Sequence, residues 1–231
     1  MIILIFGIIF IPKIIDRISK GSVVEADRLN INKKTSDTKE LVYITQYDEH
    51  KKVPDFKFVN QDGDTITNKD YLGKVYVVEF FFTTCPSICP IMSENLVDIQ
   101  NKLKGNKNFG IVSITIDPEH DTPQVLKKYA KEHKVTNPNW NFLTGDRKVI
   151  YDLANRGFGI FADEDETVPG GFANSGLFAL IDQKGFVRSR EDKFGNPIIY
   201  YRGSIKQNTS ITEGEETPEI DILIEDIKKL L

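Results

Sequence analysis

The sequence predicts a single α/β domain, a small sheet covered by helices, behind an N-terminal membrane anchor. Two observations carry that prediction. Strand-like apolar runs alternate with helical stretches over most of the chain, and the opening residues MIILIFGIIFIP are apolar without a break. The length agrees, since 231 residues hold one domain with a sizeable core plus extra segments rather than two full domains. A formal net charge of -4 supplies no basic stripe of the kind nucleic acid needs, so nucleic acid is not an expected partner.

Residues 1–19 read as the anchor. A spanning helix takes about 20 apolar residues, and this run is shorter. It also lacks the basic leader and small-residue cleavage site of a removable signal. It therefore reads as an uncleaved anchor whose start lies upstream of Met1. Lys13, Arg17 and Lys20 follow the run, and by themselves they favour the cytoplasmic side for what comes next. Residues 20–45 are polar and rich in Lys, Asp and Asn, as a linker would be, and the domain is placed at 46–231.

Within the domain, Phe56, Phe58 and Ile66 flank an Asp62-Gly63 turn signal, which predicts a hairpin. KVYVVEFFF is near-continuous apolar sequence, as a central strand buried on both faces should be. After it, Ile91, Leu96, Ile99 and Leu103 fall at helical spacing, and Gly105 supplies a stop. FGIVSITI is a second buried strand ending at Asp117-Pro118. Asp121 and Thr122 then offer N-caps for a helix through TPQVLKKYAKEH. Trp140, Phe142 and Leu143 form a short strand, DRKVIYDLANR a further helix, and GLFALID with FVRSR a hairpin around Gln183-Lys184-Gly185. TPEIDILIEDIKKLL closes the chain as an amphipathic helix with Pro218 in its first turn. The acidic runs DEDET at 163–167 and TEGEET at 212–217 read as solvated loops.

The chain has only two cysteines, Cys85 and Cys89, in TTCPSICP. A disulfide framework spreads its cysteines to close long loops; a pair this close closes almost none, so bridging it stabilises the fold little. The pair therefore reads as chemical rather than architectural. Cys85 follows a buried strand and immediately precedes a helix, where the dipole and unpaired N–H groups favour thiolate. Pro86 suits the first helical turn, and Pro90 limits how regularly that turn winds. Four-residue spacing brings both sulfurs to one side, to form a disulfide or to hold a soft cation. Two thiolates suit Cu(I), whereas structural zinc normally takes four protein ligands. The three histidines, at 50, 120 and 133, are too scattered for a His-rich metal cluster. A peroxiredoxin reading asks for a threonine three positions before the reactive cysteine and a proline further upstream. Phe82 and Val78 stand at those places.

LGKVYVVEFFFTTCPSICP, SITIDPEHDTPQVLKKYA, NPNWNFLTGD, FALIDQKG and IEDIKKLL, in that order, resemble the Sco (SenC) family, thioredoxin-fold factors for assembly of the copper centre of cytochrome c oxidase. The resemblance runs over about residues 53–231. It implies a thioredoxin-like domain facing the periplasm on an anchor in the bacterial cytoplasmic membrane, with Cys85 and Cys89 as copper ligands and redox-active thiols. The family's third copper ligand is a histidine just before the strand read in GLFALID. Asn174 stands there in this sequence, and an amide is a poor ligand for Cu(I). His120, at the same edge of the sheet as the cysteines, is the candidate substitute. His133 reads as a dipole partner near a helix C-terminus and Met92 as core. The resemblance leaves two activities for the cysteine pair. As a thiol–disulfide oxidoreductase with Cys85 attacking, it would serve the copper-site subunit of an oxidase or another extracytoplasmic thiol protein. As a copper chaperone, it would carry Cu(I). The alternative is a docking module of the same fold without copper or redox activity.

Overall fold

The computed structural model describes residues 40–192, 194–207 and 217–231; the anchor at 1–19 and most of the linker lie outside the described residues. Short strands β1 (Val42–Tyr43), β2 (Thr45–Gln46) and β3 (Glu49–His50) lead into the hairpin of β4 (Lys57–Asn60) and β5 (Thr65–Thr67). Then come β6 (Val75–Phe81), helix α1 (Ile88–Lys102), β7 (Phe109–Thr115), helix α2 (Pro123–Glu132) and β8 (Trp140–Thr144). Helix α3 (Arg147–Asp152) runs into a π-helical turn, Leu153–Phe158, ahead of a second hairpin, β9 (Ala162–Glu164) and β10 (Phe172–Asn174). β11 (Leu177–Ile181), β12 (Val187–Ser189), β13 (Tyr201–Arg202) and helix α4 (Ile220–Leu230) complete the described chain.

The main sheet runs β1-β12-β11-β6-β7-β8-β4-β5, with β13 beside β11. β6, β7 and β8 are parallel, while β11 is antiparallel to β6 and β12 antiparallel to β11. A parallel pair continued by an antiparallel hairpin, with helices over it, is the thioredoxin-like arrangement. Every residue of β6 and β7 is buried, because both sheet faces are covered. Successive side chains point to opposite faces. Phe80 accordingly meets Phe158 of the π-helical turn, and Phe81 meets Tyr129 of α2. The Ser93 and Tyr129 hydroxyls, 2.8 Å apart, tie α1 to α2 on the Phe81 side.

This topology gathers three connections at one edge of the sheet. Phe81 and Thr115 are partners at the ends of parallel β6 and β7, so the segments after both strands emerge side by side. β11 runs the other way along β6, with Ala179 opposite Val78, so the chain entering β11 arrives at that same edge. The cysteine segment, the β7–α2 loop and the β10–β11 connection therefore meet, as expected where ligands bind open α/β sheets.

Several boundaries differ from the sequence reading. The sheet begins inside the stretch read as linker: Val42 and Tyr43 pair with Ser189 and Arg188, and Leu41 and Ile44 are buried. Leu41-Val42-Tyr43-Ile44 is too short an apolar patch to show a period between polar flanks. Helix α1 starts at Ile88 with Ser87 at the N-cap, not directly after Cys85. Cys85 therefore lies outside the helix, and Pro90 rather than Pro86 stands in its first turn. Pro218 precedes the N-cap Glu219 of α4 instead of entering its first turn. Thr122 caps α2, its hydroxyl accepting from Val125 N–H, whereas Asp121 is buried and serves the site. Asp163 and Glu164, read as loop, are exposed residues of β9.

Candidate functional site

Cys85 and Cys89 are both free thiols, 7% and 1% exposed respectively. Cys85 hangs in the short segment between β6 and α1, and Cys89 sits in the first turn of α1. The backbone N–H of Cys89, one of those the helix start leaves unpaired, donates to Cys85 Sγ at 3.4 Å. The Ser87 hydroxyl, free of capping duty, lies 3.7 Å from the same sulfur. The Cys89 thiol hydrogen-bonds Cys85, and this bond above all pulls the Cys85 thiol down to about 5, outweighing the opposing effect of burial. The same bond, then burial, pushes Cys89 far up. Of the two sulfurs, Cys85 is therefore the one favoured as thiolate.

Asp121 fixes the segment that leads into the cysteines. Its carboxylate accepts from Thr83 N–H at 3.0 Å, from the Thr83 hydroxyl and from the Thr115 hydroxyl at 2.5 Å. His120 Nδ1 lies 3.0 Å from Asp121 Oδ1. Fully buried, this carboxylate is a brace between the two loops. The sequence reading took Asp121 for a helix cap. The paired threonines at 83 and 84 and the Asp117/Asp121 spacing were the available signal, but only the parallel β6–β7 register brings Thr83 and Asp121 together.

Beneath the site, Glu79 on β6 is wholly buried. Its Oε1 accepts from the Ser113 hydroxyl at 2.6 Å, and Ser113 Oγ accepts from Trp140 Nε1 at 3.0 Å. Its Oε2 has no hydrogen-bond partner among the described residues, and burial pushes the carboxyl up to about 8. Nothing in a run of strand-forming residues marked Glu79 out, since KVYVVEFFF reads as continuous core.

The hairpin of β9 and β10 closes over the cysteine segment. The Phe172 ring centroid lies 5.2 Å from that of Phe82, and Gly170 fits against Phe82 and Pro86 where a Cβ would come within 2.9 Å of the Phe82 ring. At the end of β10, Asn174 Oδ1 accepts from Gly176 N–H at 2.8 Å, and Asn174 Nδ2 donates to Cys89 Sγ at 3.6 Å. The structure thus brings Cys85, Cys89 and Asn174 together. His120 is held by Asp121 and Thr83. His133 is the C-cap of α2, against the Tyr129 ring, and Met92 is fully buried core. Among the described residues, no three His, Cys, Asp or Glu side chains form a metal-holding group.

The family model for SCO1/SenC matches residues 44–204 of the chain. The chain belongs to the SCO1/SenC family. It is 40% identical over 108 residues to a SCO1 protein homolog of Bacillus subtilis, covering 46% of this chain and 56% of that relative, so the match spans little more than half of the relative's length. Among solved structures it is similar to BsSco, described with a disulfide switch and as a member of the Sco family of cytochrome c oxidase assembly proteins. That likeness has 28% identity and a TM-score of 0.64, covering 83% of this chain and 98% of the other. It is also similar to Arabidopsis thaliana ScoI, solved with copper bound, at 26% identity and a TM-score of 0.54, covering 76% and 96% of the two chains.

Proposed function

We propose that the chain serves assembly of the copper centre of cytochrome c oxidase as a thiol–disulfide reductase. Its target in this reading is the copper-site cysteine pair of the oxidase subunit or another extracytoplasmic thiol protein. The N-terminal apolar run anchors it in the bacterial cytoplasmic membrane with the domain facing the periplasm; among the described residues no helix is long and apolar enough to cross a membrane. One observation carries the chemistry: the asymmetry of the two sulfurs. Cys85 is the charged and more accessible one, held by the helix N–H and the Cys89 thiol, and Cys89 is protonated and enclosed. Cys85 thiolate attacks one sulfur of the partner disulfide and expels the other as thiolate. Cys89 then attacks the Cys85 sulfur of the mixed disulfide, expels the second partner thiolate and closes the Cys85–Cys89 disulfide. Two electrons pass to the partner, and its two thiols take up the protons.

A second reading has its own support, since a solved relative holds copper. Cys85 and Cys89 fit Cu(I) as cargo, because two thiolates satisfy a soft cation of low coordination number. They do not fit a three-ligand site. Asn174 Oδ1 is taken by Gly176 N–H, and the group facing the sulfur is a hydrogen-bond donor.

The two readings separate in one experiment. The reduced full chain is titrated with Cu(I) against a competing chelator and, in parallel, mixed with a peptide disulfide carrying the oxidase copper-site cysteine pair. The Cys85→Ser, Cys89→Ser double variant is the control. Stoichiometric reduction of the peptide while the chelator strips all copper supports the reductase. Tight one-to-one copper binding without peptide reduction overturns it in favour of the carrier.

A further inference from the structure

The amide of Asn174 is held one way round by its neighbours. Gly176 N–H can only donate, so the atom it meets at 2.8 Å must be Oδ1, and the NH2 group is left to face Cys89 Sγ at 3.6 Å. The mount is rigid. Gly176 has φ +64 and packs so closely on Ser204 that a Cβ would fall 2.7 Å from it. β10 is paired to β9 with Asn174 opposite Ala162, and the Phe172–Phe82 contact seats the hairpin over the cysteines. The sulfur that receives this donor is 1% exposed, so water is not on hand to solvate charge that develops there.

We propose that Asn174 is a catalytic residue of thiol exchange, donating an amide hydrogen bond to the Cys89 sulfur as that sulfur resolves the mixed disulfide. The inference rests on the reductase reading and assigns a donor to its second step. In that step the Cys89 sulfur forms a bond to the Cys85 sulfur while the bond from Cys85 to the partner breaks. The electron pair of that bond leaves with the partner sulfur, which takes up the proton that Cys89 gives up. Charge gathers on Cys89 Sγ before the new bond forms, and a fixed N–H aimed at it stabilises the charge without reorganisation. Cys85 in its first attack has the Cys89 N–H and Ser87 as direct partners, while Asn174 contacts only the Cys89 sulfur, so its effect falls mainly on the second step.

The test is single-turnover reduction by the reduced full chain of excess aromatic disulfide whose thiolate product is coloured. Wild type releases thiolate in two phases, the first from Cys85 and the second from Cys89. Asn174→Ala slows the second phase about fivefold, the worth of one neutral hydrogen bond, and leaves the first within about twofold. Asn174→Asp keeps an acceptor for Gly176 N–H but turns an oxygen toward the sulfur, and slows the second phase further; it decides the matter if the alanine variant does not fold. A second phase as fast as wild type in the folded variants overturns the inference, as does equal slowing of both phases, which would mark a reshaped loop. Wild type with one phase and half the thiolate defeats the reductase reading itself, and with it the step assigned to Asn174.

Discussion

Replacing Glu79 by Gln should change how stability depends on pH. Burial pushes the Glu79 carboxyl from the ordinary 4.5 up to about 8. Between those values the unfolded chain has released a proton that the folded chain keeps, so folding takes up a proton and becomes harder as pH rises. The slope is about 1.4 kcal/mol per pH unit, and over the whole window the penalty reaches roughly 5 kcal/mol. Glutamine has the same shape, still accepts from Ser113 and never ionises. Wild type and Glu79→Gln should therefore unfold alike below about pH 5 and part steadily until about pH 8, with the variant the more stable. Cys85 works in the opposite sense: its thiol, lowered in the fold, favours folding as pH rises through the same range. Both proteins contain it, so it cancels in the difference between them. The assay is urea unfolding at a series of pH values, followed by the fluorescence of Trp140, the sole tryptophan. A difference that stays flat within about 1 kcal/mol from pH 5 to 8 refutes the reasoning, because it would mean that Glu79 ionises inside the fold at no cost.

Three further outcomes follow from the site. Alkylation of Cys85 should titrate with a midpoint near about 5, and Cys89→Ala should move that midpoint upward by removing the thiol donor; an unchanged midpoint in a mass-spectrometric labelling series counts against the assigned hydrogen bond. Asp121→Ala strips the acceptor from the half-buried Thr83 N–H and two hydroxyls and should cost about 3 kcal/mol by urea unfolding, with a loss under about 1 kcal/mol showing that the loop has other support. Gly170→Ala places a Cβ at φ +91 and 2.9 Å from the Phe82 ring; it should cost about 1–2 kcal/mol and speed hydrogen exchange in β9 and β10, whereas wild-type exchange would show that the hairpin seats elsewhere.

The fold was largely legible because its central strands are buried on both faces and so read as unbroken apolar runs: Val75–Phe81 and Phe109–Thr115 stand where KVYVVEFFF and FGIVSITI put them. The cysteine pair was legible by its isolation. What stayed hidden needed the third dimension. β1 was lost because two residues pairing with Ser189 and Arg188 carry no periodicity of their own. Asp121 was misassigned because a cap and a buried brace look alike until the register sets Thr83 beside it. Asn174 was noticed for what it is not, a histidine. Its role as a donor appeared only once Gly176 fixed which end of the amide faces Cys89.

The bonds that hold charge on Cys85 exist only while both sulfurs are reduced. Closing the disulfide consumes the thiolate and forfeits the donations from the Cys89 thiol and the helix N–H. The folded scaffold therefore favours its dithiol over its disulfide more than an unfolded chain would, and by a thermodynamic cycle it surrenders electrons less readily than an unconstrained pair of cysteines. In the proposed reductase role, such a pair would spare relaxed structural disulfides and reduce those whose own geometry makes them stronger oxidants. In that role, selectivity among partners would be set in part by redox poise, ahead of any surface that recognises them.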